Sequence, residues 1–168
     1  RYIRIIKKVC AGKNVLDKVL KYGSFQNTFL DEEGDVDICI IPKCTLDDFQ
    51  TYLEDIQKEI SETKVGQTRF KYNSGSYILL TIYDNQSESN VDITVHNLLP
   101  ICNSNLIRQY SLFDQRFHIL GLYLKHWSKI NKIHGAADGY LSSYALLIMI
   151  IHFLQKIAEP HVLPNLQN

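Results

Sequence analysis

Hydrophobic and polar positions change their rhythm along the chain. Ile3, Ile6 and Val9 recur at helical spacing with basic residues between them, which predicts a short amphipathic helix over residues 1–11. Residues 19–22 read as a brief strand that stops at Gly23-Ser24, followed by a helical turn over 25–30. Residues 36–41 are β-branched and apolar and end at Pro42, the signature of a buried strand. Thr45 with Asp48 three residues on predicts a helix cap and its reciprocal acid. The helix they open carries Leu46, Phe49, Leu53, Ile56 and Ile60 along one face. Strands at 67–72 and 77–83 flank the turn Asn73-Ser74-Gly75-Ser76, and a strand at 91–96 completes an expected antiparallel meander.

From Asn103 onward the period is helical only. Helices are expected to begin at 106–110, to continue over 113–130, and to return as a strongly apolar segment at 141–157 that Pro160 and Pro164 end. The change of rhythm near 98–102 predicts an α+β module over residues 1–98 feeding a helical module over 99–168. The apolar run 144–151 is too short to span a membrane and is followed by His152, so no membrane association is expected.

Composition adds bounds. A chain of 168 residues, 45% hydrophobic and 21% charged, holds one sizeable core or two small ones. The net charge of zero argues against a uniformly basic nucleic-acid binder, yet the charges are segregated. Residues 1–21 carry seven Lys or Arg against Asp17 alone, and residues 31–62 carry eleven acids against two bases. Residues 108–132 turn basic again, a distribution suited to a cleft with an acidic floor and lysines for phosphate. Cys10, Cys39, Cys44 and Cys102 form no CxxC pair, and no signal peptide is visible, so an intracellular chain is expected, cytoplasmic by preference with the nucleus and mitochondrion left open.

The candidate chemistry starts at Asp35-Val36-Asp37. Alternation in a strand puts both carboxylates on one face and Val36, Ile38 and Ile40 on the other. Adjacent carboxylates repel unless cations neutralise them, and Mg²⁺ prefers such oxygen ligands together with substrate phosphates. Asp92, among Val91, Ile93 and Val95, repeats the arrangement, so neighbouring strands would converge three carboxylates. An exposed sheet face would carry the same acids. Gly23-Ser24 stands between a strand and a helical turn, where backbone can approach phosphate, although ordinary turns use the same pair. Lys125 and Lys129 share a helix face read as opposite Phe117, Leu120 and Leu124, fit either for a triphosphate or for solvent. Ser143 is read as a helix cap and Tyr144 as either a core ring or a stacking one.

Order and spacing join these elements. The stretches "YGSFQNTFLDEEGDVDICI", "VDITVHN", "NSNLIRQYSLFDQRFHILGLYLKHWSK" and "GYLSSYALLIMIIHFLQ…PHVLPNLQ" resemble the terminal RNA nucleotidyltransferase family of the DNA polymerase β-like superfamily. That family includes terminal uridylyltransferases and the poly(A) polymerases nearest to them. The resemblance runs from about Val19 to the end. It implies a polymerase β-like mixed-sheet palm domain over 1–98, followed by the start of a helical, poly(A) polymerase-associated-like central domain over 99–168. In the family the helical domain continues past "VLPNLQ" to a loop that senses the base, so the chain reads as truncated and silent on UTP against ATP.

The resemblance also implies roles. Asp35, Asp37 and Asp92 match the catalytic, metal-binding carboxylates, with Mg²⁺ or Mn²⁺ as cofactor. Gly23 and Ser24 match the phosphate-contacting turn, Asn103 a reader of the ribose 2′-hydroxyl, and Ser104 its support. Lys125, Lys129 and Ser143 match triphosphate contacts, and Tyr144 a base-stacking ring. The implied activity is template-independent transfer of UMP or AMP from the triphosphate to an RNA 3′-hydroxyl, with release of pyrophosphate. RNA 3′ ends, nucleoside triphosphates and unspecified members of an RNA-processing complex are the implied partners. The rival reading is a non-catalytic subunit that keeps the fold as an RNA-binding or scaffolding module; its mark would be a lost carboxylate, and all three are present.

Overall fold

The computed structural model describes every residue except 12–13, 31–33, 64–65, 74–76, 85, 87 and 168, and gives the backbone alone for 46–50, 68–73, 77–78 and 137. The chain runs α1 (Tyr2–Val9), β1 (Leu16–Tyr22), α2 (Gly23–Asn27), β2 (Val36–Pro42), α3 (Leu46–Glu62), β3 (Gly66–Asn73), β4 (Tyr77–Asp84) and β5 (Ser89–Val95). It continues through α4 (Leu99–Phe113), α5 (Gln115–Ile130), a 3₁₀ turn (Ala136–Asp138) and α6 (Ser143–Lys156). Two compact units result: residues 1–25 with 30–102, and residues 26–29 with 103–168.

The first unit is a five-stranded mixed sheet in the order β1-β2-β5-β4-β3. The expected meander is there, since β3, β4 and β5 pair antiparallel. Its last strand then pairs in parallel with β2, which pairs antiparallel with β1. The long crossover through α3 makes the parallel pairing possible. One face of the sheet is buried: Ile38, Ile40, Leu80, Ile82, Val91, Ile93 and Val95 pack with Tyr2 and Ile6 of α1 and Leu53, Ile56 and Ile60 of α3. Ile6 of the α1 stripe and Leu53, Ile56 and Ile60 of the α3 stripe thus become core, with Ile3 and Val9 partly buried against it, while the side chains of Leu46 and Phe49 lie outside those described. The proposed Thr45–Asp48 cap and the turn at 74–76 lie outside the described side chains and residues.

β1 begins at Leu16, earlier than its apolar run suggests. A register shift between Leu16 and Lys18 lets the charged pair Asp17-Lys18 join an edge strand. α2 begins at Gly23 instead of Phe25. α4 begins at Leu99 instead of Leu106, so Asn103 and Ser104 sit inside a helix. The expected continuity at residue 113 is broken because Asp114 caps α5, accepting from Arg116 N at 2.8 Å.

The second unit is helical, with an isolated bridge between His134 and Leu141. Its core joins Phe29, Ile107, Tyr110 and Phe117 to Leu146, Leu147, Ile150, Ile151 and Leu154 of α6, and to Leu163. The hydroxyl of Tyr110 accepts from Gln155 Nε2 at 2.9 Å and from Leu166 N at 3.0 Å. With Val162 N and Leu163 N donating to Leu154 O, these bonds fold residues 162–166 back along α6. The "VLPNLQ" stretch is therefore a packed tail of this core.

Candidate active site

The face of the sheet opposite the α1–α3 core carries the acids. Ladder partners share a face, so the register Tyr22↔Asp37↔Asp92↔Thr81 lays four side chains in one row across β1, β2, β5 and β4. Asp37 and Asp92 are direct neighbours on parallel strands, and Asp35 stands two residues before Asp37 at the entry to β2. All three are half-buried. Burial first, then the charges of Asp92 and Asp35, push the Asp37 carboxyl up to about 7. The same surroundings, burial foremost, raise the phenol of Tyr22, whose hydroxyl lies 3.2 Å from Thr94 Oγ1.

A carboxylate held near neutrality by burial and then by its neighbours' charge is a site that gains from a hard cation, and three oxygen-donor groups suit Mg²⁺ or Mn²⁺. Among the described residues no three His, Cys, Asp or Glu side chains stand as an assembled ligand cage. Strand register sets Asp37 beside Asp92, and Asp35 stands two residues before Asp37.

Gly23 belongs to this arrangement. Its φ of +68° lies in the left-handed region, and a Cβ built there would meet Asp37 Oδ2 at 1.8 Å. The Asp37 carboxylate fills the space that a side chain at this position would need. Ser24 follows at the start of α2 and is half-buried. The first unit thus holds Gly23, Ser24, Asp35, Asp37 and Asp92 on neighbouring segments.

Asn103, Ser104, Lys125, Lys129, Ser143 and Tyr144 belong to the second unit. Asn103 is half-buried and Ser104 buried, both within α4. Lys125 corrects the helical-face reading: it lies on the buried side of α5 with Phe117, Gly121 and Ser128, not opposite Phe117. Eight residues turn a helix by only about 80° beyond two full turns, and a long apolar stem tolerates burial. Its ammonium donates to Phe29 O at 2.8 Å. Lys129, one turn on, is half-buried.

Ser143 is the first residue of α6 and not its cap, because Ser142 accepts from Ala145 N at 3.0 Å. The Ser143 hydroxyl instead lies 3.1 Å from His134 Nε2, and His134 Nδ1 lies 3.1 Å from Ser128 Oγ. Tyr144 is 38% exposed, so its ring is not part of the buried core. Sequence reasoning missed Tyr22, Thr94, Ser128 and His134. Tyr22 was within reach through its place one residue before Gly23, whereas no spacing signalled the other three.

The model of the family described as the poly(A) RNA polymerase, mitochondrial-like, central palm domain matches residues 2–112. Among curated relatives, Caffeine-induced protein 16 of Schizosaccharomyces pombe is 32% identical over 97% of this chain and 13% of its own length. Poly(A) RNA polymerase cid13 of the same yeast is 30% identical over 98% of this chain and 28% of its own. The chain thus spans well under a third of these relatives. Among solved structures, a mutant of the Cid1 poly(U) polymerase bound to MgATP aligns with a TM-score of 0.83 at 22% identity, over 98% of this chain and 50% of that one. A cytoplasmic RNA terminal U-transferase aligns with a TM-score of 0.80 at 24% identity, over 98% of this chain and 48% of that one. These two likenesses establish the polymerase β-like α+β fold. With the family model covering most of the first unit and the start of the second, the chain belongs to the mitochondrial-like poly(A) RNA polymerase central palm domain family.

Proposed function

We propose that this chain is the nucleotide- and metal-binding portion of an RNA 3′-terminal nucleotidyltransferase, adding UMP or AMP from the triphosphate to an RNA 3′-hydroxyl. The observation that carries the reading is the pairing of Asp37 with Asp92 on parallel strands, with Asp35 two residues before Asp37 adding its charge to burial and Asp92 in pushing the Asp37 carboxyl up. Asp35, Asp37 and Asp92 would hold Mg²⁺ or Mn²⁺, which would supply Lewis acidity to lower the effective pKa of the attacking hydroxyl and to offset charge on departing pyrophosphate. Tyr22 and Thr94 flank the acids and are themselves hydrogen-bonded, which limits where the carboxylates can swing. The relatives' names support the substrates: poly(A) RNA polymerase for cid13, and poly(U) polymerase bound to MgATP for the Cid1 mutant.

In this reading the second unit grips the nucleotide. Lys125 and Lys129 meet the triphosphate, Lys125 with its stem packed in the core and one N–H fixed on Phe29 O. Ser24 and Ser143 add hydroxyl contacts, Asn103 reads the ribose with Ser104 behind it, and the open ring of Tyr144 stacks on the base. We draw the palm domain over 1–98 and the helical domain from 99. The buried thiols of Cys10 and Cys39 suit a reducing compartment, and we propose the cytoplasm.

The test is extension of a labelled RNA primer by the full-length protein with Mg²⁺ and each ribonucleoside triphosphate. Asp37→Ala is expected to abolish addition while the protein stays folded. Wild-type extension by that variant would overturn the assignment.

A further inference from the structure

Ser143 is held from behind. Ser128 is fully buried and donates its hydrogen to Lys125 O at 2.8 Å. A hydroxyl has a single hydrogen, so Ser128 faces His134 as an acceptor and Nδ1 carries the ring proton. That leaves Nε2 as the nitrogen assigned to Ser143. The backbone fixes the ring as well: Leu141 N donates to Ile133 O at 3.2 Å, and Gly135 N donates to Leu141 O at 3.0 Å. His134 is thus braced against α5 at one nitrogen and aimed at the first residue of α6 with the other.

We propose that His134 is a positioning residue of the nucleotide site: beside a bound triphosphate the ring is an imidazolium, its Nε2–H donates to Ser143 Oγ, and the hydroxyl's single hydrogen is left to point at a phosphate oxygen. The proposal rests on the reading of Ser143 as a phosphate contact. An unheld serine hydroxyl at the head of a helix has several staggered positions to choose from. Holding one of them in advance lowers the ordering required when the nucleotide arrives. The effect therefore belongs to nucleotide affinity more than to turnover.

The ring touches two serines, so a merely structural role has its own signature. His134→Gln puts an amide where Nε2 stood and keeps the Ser143 bond. His134→Asn puts one where Nδ1 stood and keeps only the Ser128 bond. In the full-length protein, KM for ATP and for UTP is expected near wild type for His134→Gln. It should rise roughly threefold to tenfold for His134→Asn and His134→Ala, with kcat much less affected. Adding Ser143→Ala to His134→Asn should raise KM no further. Rescue by Asn in place of Gln, or additivity with Ser143→Ala, overturns the proposal. A raised KM in Ser143→Ala beside unchanged His134 variants overturns the positioning role and leaves the phosphate contact standing. An unchanged KM in Ser143→Ala sinks both. If His134→Ala fails to fold, the contrast between the Gln and Asn variants still decides, since each keeps one of the two bonds.

Discussion

Gly23→Ala tests how tightly the acidic site is built. The new methyl would lie 1.8 Å from Asp37 Oδ2, 2.8 Å from Cγ and 3.3 Å from Cβ. Restoring ordinary contact requires the carboxylate to retreat by roughly 1.5 Å. Two terms add. Alanine at φ +68° costs about 1–2 kcal/mol for its left-handed backbone. Driving Asp37 off its preferred rotamer adds about 1 kcal/mol. The expected loss of stability is therefore roughly 2–3 kcal/mol, well below what unfolds an ordinary domain. Catalysis should suffer far more, because misplacing a reacting group by about 1 Å costs on the order of a hundredfold. Urea unfolding and single-nucleotide extension of labelled RNA measure the two effects on the same preparation. The double variant Gly23→Ala, Asp37→Ala removes the crowded carboxylate and keeps the backbone strain, so it should lose less stability than the sum of the single variants. Full activity and unchanged stability in Gly23→Ala would refute the reasoning.

Further expectations concern charge, the tail and the base. Asp37 is raised from its ordinary 3.8 to about 7, so the folded state binds a proton there that the unfolded chain has already released between those values. Its contribution to stability is present below about pH 4 and lost as pH rises through 7. The loss is about 4 kcal/mol as an upper bound. Urea titrations at pH 5 and pH 8 should show this slope in metal-free protein, and Asp37→Asn or added Mg²⁺ should flatten it; an unchanged slope in both would contradict the charge reading. Tyr110→Phe removes the hydroxyl that accepts from Gln155 and Leu166, which should lower stability by about 1–2 kcal/mol and speed amide exchange at 162–166. Tyr144→Ala should raise KM for ATP and UTP by similar factors while Tyr144→Phe stays near wild type, because stacking does not choose the base.

Much of the first unit was legible because its strands obey a period of two and its helices a period near four. The alternation around Asp37 and Asp92 announced a sheet with one apolar and one acidic face, and the register bears this out. What alternation does not encode is which strands are neighbours. The parallel pairing of β2 with β5, which brings the two aspartates side by side, is a long-range choice made by burial of Ile38, Ile40, Val91 and Ile93 together. Helix ends were misjudged where the signal is one side chain wide. Ser142 and not Ser143 caps α6, and either residue could have done so on composition alone. Lys125 was read as facing away from the core because charge outweighs a long apolar stem in any simple pattern, while the Phe29 carbonyl that receives its ammonium lies far away in sequence. The contacts of His134 with Ser128 and Ser143 depend on a bend between α5 and α6 that no periodicity describes.

Residues 26–29 interrupt the first unit and belong to the second, so the chain crosses between the two three times. Phe29 is 1% exposed, sits 5.3 Å from the Phe117 ring, and supplies the carbonyl for Lys125. The helical unit therefore borrows a wedge of its core from the middle of its neighbour's sequence. No single cut in the chain can yield it whole. A fragment beginning at Asn103 would carry a cavity where Phe29 belongs and a buried ammonium stripped of that acceptor, a defect worth roughly 3–5 kcal/mol for the lost ring alone. A co-expressed peptide bearing residues 26–29 would have to dock without its covalent leash. Heredity of the fold is thus indivisible here: insertions, fusions and permutations are better tolerated elsewhere than between Phe25 and Leu30.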